Sequence, residues 1–216
     1  MPRPVVTVLT LAGAVLMATG CSPPSSSASS TAGTVPPTPL RTTTPAAVGG
    51  IRAGPGPQAD DTVQPQPAPG SCHYTFVGTD PLPDPGCTPG AVDPWVTQAD
   101  IVTTICSRGF TSSIRPPESV TAPEKEASAA AYGYTGSLHL AEYDHLVPLE
   151  LGGDPNDPAN LWVEPPDDPR ATSFANAKDR LEARLNRLVC SGQLPLATAQ
   201  QAIAADWVTA EQAYGG

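Results

Sequence analysis

Basic and aromatic side chains are scarce in this chain. Its 216 residues carry 11 Lys and Arg against 21 Asp and Glu, a formal net charge of −10. That balance excludes a protein that grips nucleic acid through an overall basic surface; a polyanion would have to be met by a local stripe, and its binding would be weak, salt-sensitive and indifferent to sequence. Phe, Trp and Tyr together make up 5% of the residues, and Trp162 and Trp207 read as core anchors rather than base-stacking platforms. His occurs three times and Cys five times. No two Cys stand in a Cys-x-x-Cys pair and the His are scattered, which argues against structural zinc. The apolar run Val5 to Met17 is too short to span a bilayer as a mature helix.

That run is read as a targeting segment. Arg3 supplies the positive start, Val5 to Met17 the apolar centre, and Ala18-Thr-Gly-Cys21 resembles a lipobox. The expected product begins at Cys21, lipidated on its sulfur and held on the outer face of the plasma membrane; without lipidation it is secreted. Residues 22–70 are rich in Ser, Thr, Pro, Ala and Gly, with almost nothing to bury, and are expected to be a disordered tether. Residues 71–216 are long enough for one domain. Setting Cys21 aside leaves Cys72, Cys87, Cys106 and Cys190, an even count that in an exported domain reads as two disulfides. Three pairings exist; Cys72–Cys87, closing a Pro-rich loop, with Cys106–Cys190 is the favoured one.

Helical signals fall in four places. Thr97 and Asp100 form a capping-box pattern that opens a helix ending near Cys106. A second, Ala-rich helix is expected from about Val120 to Gly133, with Pro123 in its first turn. The strongest pattern runs from about Ser173 to Cys190, where Phe174, Ala177, Leu181, Leu185 and Leu188 recur at three- and four-residue steps and define a buried face. A last helix follows Pro195, with Leu196, Ala199, Ile203 and Trp207 on one side.

The most informative stretch is Glu142-Tyr-Asp-His-Leu-Val-Pro-Leu-Glu-Leu-Gly-Gly153, followed by Ala159-Asn160-Leu161. It predicts a β-hairpin with a long loop, its second strand running from Asn160 to Val163. A carboxylate (Asp144) and an imidazole (His145) stand side by side on the first strand. The carboxylate suits a hard cation. The imidazole suits a general base near neutral pH.

The Asp-His-Leu-Val-Pro-Leu segment, the Gly-Gly and the Ala-Asn-Leu resemble the first two elements of the HNH motif of ββα-metal nucleases, and residues 84–213 resemble secreted bacterial proteins of that family. The resemblance implies an α+β domain with a ββα-metal hairpin-helix core, flanked by helices and stapled by disulfides. It implies a metal-dependent endonuclease with little sequence specificity, acting on nucleic acid, with DNA ahead of RNA. His145 matches the general base, Asp144 the first metal ligand, and Asn160 the middle Asn that holds the hairpin and orients the base. The third element departs from the family pattern: no His follows His145, and Pro165-Pro-Asp-Asp-Pro169 interrupts any helix there. Asn176 and Asp179 are the alternatives for that ligand, with one Mg²⁺ or Mn²⁺ as the cofactor. Lys178 and Arg180 are expected to neutralise the phosphate, and the products to carry 5′-phosphate and 3′-hydroxyl ends. The domain is expected to be a monomer that touches the membrane through its lipid alone. A reading from another class is a non-catalytic envelope lipoprotein that keeps the scaffold as a binding module.

Overall fold

A computed structural model describes residues 50–168, 170, 172–174 and 176–215; the expected signal segment, Cys21 and residues 22–49 of the tether lie outside them. The described chain is α+β. It runs β1 (Arg52–Ala53), β2 (Thr75–Val77), β3 (Asp80–Leu82), β4 (Ala91–Val92), α1 (Phe110–Ile114), α2 (Glu118–Ala131), β5 (Glu142–His145), β6 (Leu161–Glu164), α3 (Lys178–Cys190) and α4 (Leu196–Tyr214). The strands pair two by two: β1 with β4 in parallel, β2 with β3 and β5 with β6 antiparallel.

The folded unit begins before residue 71, which corrects the expected boundary. Arg52 lies opposite Ala91 and Ala53 opposite Val92, and Ile51 and Ala53 are buried. The Gln64 amide donates to the Glu124 carboxylate at 2.6 Å, and the Gly70 amide to the Ala130 carbonyl at 2.9 Å. Residues 50–70 are therefore a strap laid across the domain. A Pro- and Gly-rich segment builds no core of its own, yet it orders when its backbone groups find partners on a body that other residues build.

The main core lies between α3 and α4, where Leu181, Leu185 and Val189 meet Ala199, Ile203 and Trp207, all inaccessible to solvent. Each of these Leu side chains contributes on the order of 2 kcal/mol through apolar burial alone. The Trp207 indole N–H donates to the Pro81 carbonyl at 2.8 Å, so this ring is a satisfied core anchor. The helix that carries this face starts at Lys178, five residues later than expected. The Ala177 amide is taken by the Asp167 carboxylate at 2.8 Å and the Asp179 amide by Asn176 Oδ1 at 2.8 Å. Two side chains thus satisfy amides that an earlier start would have left to backbone carbonyls.

The expected helix from Thr97 to Cys106 is instead a string of turns. Thr103 and Thr104 return their hydroxyls to the Asp100 carbonyl at 3.1 and 2.8 Å, a local bond that competes with helix propagation. α2 begins at Glu118, slightly ahead of the expected start. Both favoured disulfides form: Cys72–Cys87 spans 15 residues and Cys106–Cys190 spans 84. Such cross-links fit an oxidising, extracytoplasmic compartment. Among the described residues, no helix is long and apolar enough to cross a membrane.

Candidate functional site

The hairpin places the residues singled out in the sequence. Across β5 and β6, Glu142 faces Glu164, Tyr143 faces Val163, Asp144 faces Trp162 and His145 faces Leu161. The loop between them is pinned by Asn160, which is fully buried. Its Nδ2 donates to the carbonyls of Val147 and Asp154, both at 3.0 Å, while its Oδ1 accepts from the amides of Val147 at 2.9 Å and Ala91 at 3.3 Å. One side chain therefore closes the hairpin loop and ties it to β4. The Gly-Gly pair has a steric cause. Gly152 ends a 3-10 turn in the left-handed region at φ 70°, and a Cβ on Gly153 would lie 1.7 Å from the Val147 carbonyl oxygen.

His145 is buried, and its Nε2 lies 3.2 Å from the Pro155 carbonyl oxygen. A carbonyl can only accept, so Nε2 carries the proton and Nδ1 keeps the lone pair. Burial pushes the imidazole down to about 4, against the opposing pull of Asp144. At ordinary pH the ring is thus neutral and oriented, the state that a general base needs.

α3 docks its first turn directly against this strand. Lys178 is fully buried, and its ammonium donates to Asp144 Oδ2, to Glu182 Oε1 and, at 2.9 Å, to the His145 carbonyl. This corrects the expectation that Lys178 binds phosphate from the surface: its stem reaches inward and its charge is committed to two carboxylates. Arg180 is exposed but turned elsewhere. It donates to the Asn176 carbonyl at 3.4 Å and approaches Glu211 of α4 at 4.0 Å, because residues two apart on a helix leave it on different faces. Asn176 is buried, with its oxygen spent on the Asp179 amide and its Nδ2 without a partner among the described residues. Asp179 is exposed and its carboxyl is raised by partial burial and by the charge of Asp144. Of the two helix candidates, Asp179 is thus the one whose carboxylate oxygens make no hydrogen bond among the described residues.

Sequence reasoning missed three carboxylates and one cation. Glu164 is fully buried, and neither of its oxygens is hydrogen-bonded among the described residues. Burial and the Asp144 charge raise it well above the usual range. Glu182 is raised to about 8 by burial, against the pull of Lys178. Glu142 is raised to about 7 by burial and then by Asp144 and Asp179. Asp144 itself stays below its ordinary value: burial would raise it, but the Lys178 ammonium outweighs that. Arg115, exposed at the end of α1, acts electrostatically on both Glu142 and His145. The hairpin register would have found Glu164 opposite Glu142, and the four-residue step from Lys178 would have found Glu182.

Among the described residues, no group of three His, Cys, Asp or Glu side chains is gathered to hold a metal. The donor set therefore does not fit a preformed cage. It does fit an ion of the Mg²⁺ type, which keeps several waters and is held by one or two carboxylates together with a substrate phosphate. Asp144 Oδ1 and the Asp179 carboxylate make no hydrogen bond among the described residues and would be those ligands. No protein family, curated protein or solved structure matches the chain.

Proposed function

We propose that this domain is an exported HNH-type endonuclease that hydrolyses phosphodiester bonds with little sequence specificity. The observation that carries the reading is the neutral, oriented His145 beside the ionised Asp144, at the point where α3 docks on the hairpin. The order β5, loop, β6, α3 supports a ββα arrangement, and Asn160 does in the loop what the middle Asn of that motif would do.

In the proposed reaction, Nδ1 of His145 takes a proton from water as that water attacks phosphorus, and the Pro155 carbonyl keeps the ring in the tautomer that can accept it. A Mg²⁺ or Mn²⁺ ion on Asp144, with Asp179, would supply charge neutralisation for the phosphate and the 3′ leaving oxygen. Lys178 holds Asp144 ionised and in place. Arg115, exposed and acting electrostatically on His145, would be the basic group to meet a phosphate there, since Lys178 is buried and Arg180 turns towards Glu211. The lipidated Cys21 would hold the enzyme outside the membrane, with DNA as the favoured substrate.

One observation favours a second reading, a non-catalytic binding module: the Lys178 ammonium on Oδ2 already balances the Asp144 charge that a metal would draw on. Supercoiled plasmid incubated with the full-length chain in Mg²⁺, Mn²⁺ or EDTA separates the two. Metal-dependent nicking that His145→Ala abolishes is expected. A folded protein that cuts no nucleic acid with any metal would leave the binding module.

A further inference from the structure

A cavity of about 550 Å³ lies between the β2–β3 hairpin and the C-terminal end of α2, within the size range of small-molecule sites. Tyr74, Phe76, Tyr132 and Tyr134 border it, and no acidic or basic side chain does. Three of the rings are held from behind. The Tyr74 hydroxyl donates to the Val163 carbonyl at 2.8 Å, Tyr132 pairs with the Thr88 hydroxyl at 2.7 Å, and Tyr134 donates to the Ser137 carbonyl at 3.3 Å. Their polar tips are thus occupied, and what they offer a ligand is ring surface. Phe76 is 57% exposed, an unusual placement for a Phe in a chain this poor in aromatics.

The cavity is joined to the candidate site. Trp162, the cross-strand partner of Asp144, packs its ring 5.9 Å from Tyr74 and 6.2 Å from Tyr132, and Tyr74 lies 6.0 Å from Phe76. Pro165, on the cavity wall, follows β6 directly. It stands three residues from Trp162, or about 10 Å along the strand from the level of Asp144. Cross-strand partners share a face of the hairpin, so a polymer whose charged backbone is held at Asp144 would bring an uncharged, flat group towards these rings. Sugars are the other rings that stack on aromatics, but a sugar site also needs side chains that bind several hydroxyls in fixed directions. Here only a few small hydroxyls, such as Thr135 and Ser137, line the wall.

We propose that this cavity stacks one unpaired nucleobase of the substrate strand, giving the enzyme a preference for single-stranded or frayed nucleic acid. The proposal rests on the phosphodiesterase reading for its substrate class. Stacking of this kind tolerates any base, because every base has a π-face, and it adds affinity without adding basic charge.

The test is fluorescence anisotropy of a labelled thymidine 8-mer with the full-length chain in EDTA, beside an abasic phosphodiester chain of equal length, a duplex and a soluble β-linked glycan. The thymidine strand is expected to bind at least about tenfold more tightly than the abasic chain or the duplex. Phe76→Ala and Tyr134→Ala are each expected to weaken it by about tenfold, with Phe76→Tyr restoring most of the loss. Phe76 is exposed, so its replacement leaves the core intact, and thermal melts of each variant check this. Unchanged affinity in Phe76→Ala, equal binding of the abasic chain, no binding of the thymidine strand, or displacement by the glycan would overturn the proposal. Binding lost in Phe76→Ala with no plasmid nicking keeps the pocket and removes the nuclease; nicking with binding indifferent to Phe76 does the reverse.

Discussion

Two buried polar clusters lie within one hairpin of each other, and they are built on opposite rules. At the loop end, the buried side chains of Asp154, Asp157 and Asn160 are all partnered. Asp154 accepts from the amides of Asn156 and Asp157 at 2.9 Å each and from Gly56 at 2.6 Å; Asp157 holds Arg52 and the Ala159 amide; Asn160 makes four bonds. At the α3 end, Asp144 and Glu182 share one ammonium, while among the described residues neither Glu164 oxygen nor Asn176 Nδ2 has a partner. Satisfied networks hold structure, whereas unsatisfied ones of this density cost stability and persist at sites kept for chemistry. The contrast separates the groups that hold the hairpin from those whose polar capacity is left unspent.

The largest way to break the contrast is Lys178→Met. It leaves the buried Asp144 carboxylate without its counter-charge and is expected to cost about 3–5 kcal/mol, read from urea unfolding. Next is Asn160→Ala, which strips four bonds from the satisfied cluster and leaves buried backbone groups unpaired. It is expected to cost about 3 kcal/mol and to free the loop, seen as faster amide exchange at Val147 and Ala91. Glu164→Gln should be nearly silent, within about 1 kcal/mol at neutral pH, because burial and the Asp144 charge favour its protonated form; a large loss would mean that it is ionised.

The pH dependence is the finest test. The folded His145 sits at about 4, below its ordinary 6.5. The unfolded chain takes this proton first, so stability falls as pH drops from about 6.5 to about 4. Glu142 and Glu182 are raised from 4.5 to about 7 and about 8. Their contribution is fully present below pH 4.5 and is lost as pH rises through about 7 and about 8. Unfolding free energy measured across this range should lose its acid-side fall in His145→Ala. It should lose part of its alkaline-side fall in Glu142→Gln and Glu182→Gln.

How much of this was readable depended on the range of the interactions. The hairpin, the Asp144–His145 pair, Asn160 and the Gly-Gly pair are written within about twenty residues, and their local chemistry accounts for them. The buried faces of α3 and α4 repeat at helical spacing, so they too were readable, although Val189 rather than Leu188 completes the α3 face. The strap from 50 to 70 was not readable, because its partners, Ala91, Glu124 and Ala130, are remote in the chain. The inward turn of Lys178 was not readable either: a basic residue on a helix is ordinarily solvated, and only the docking of α3 on β5 makes Asp144 its nearest partner.

The amino-acid sequence by itself determined an α+β domain with a long-looped hairpin, two amphipathic helices and four Cys fit for two disulfides. Hydrophobic period, turn chemistry and Cys count are local properties. Tertiary structure alone decided which charges share the buried space beneath the hairpin, which tautomer His145 adopts, and that four dispersed aromatic residues wall one cavity. Each of these depends on desolvation and proximity between segments far apart in the chain, and neither quantity exists until the chain has folded.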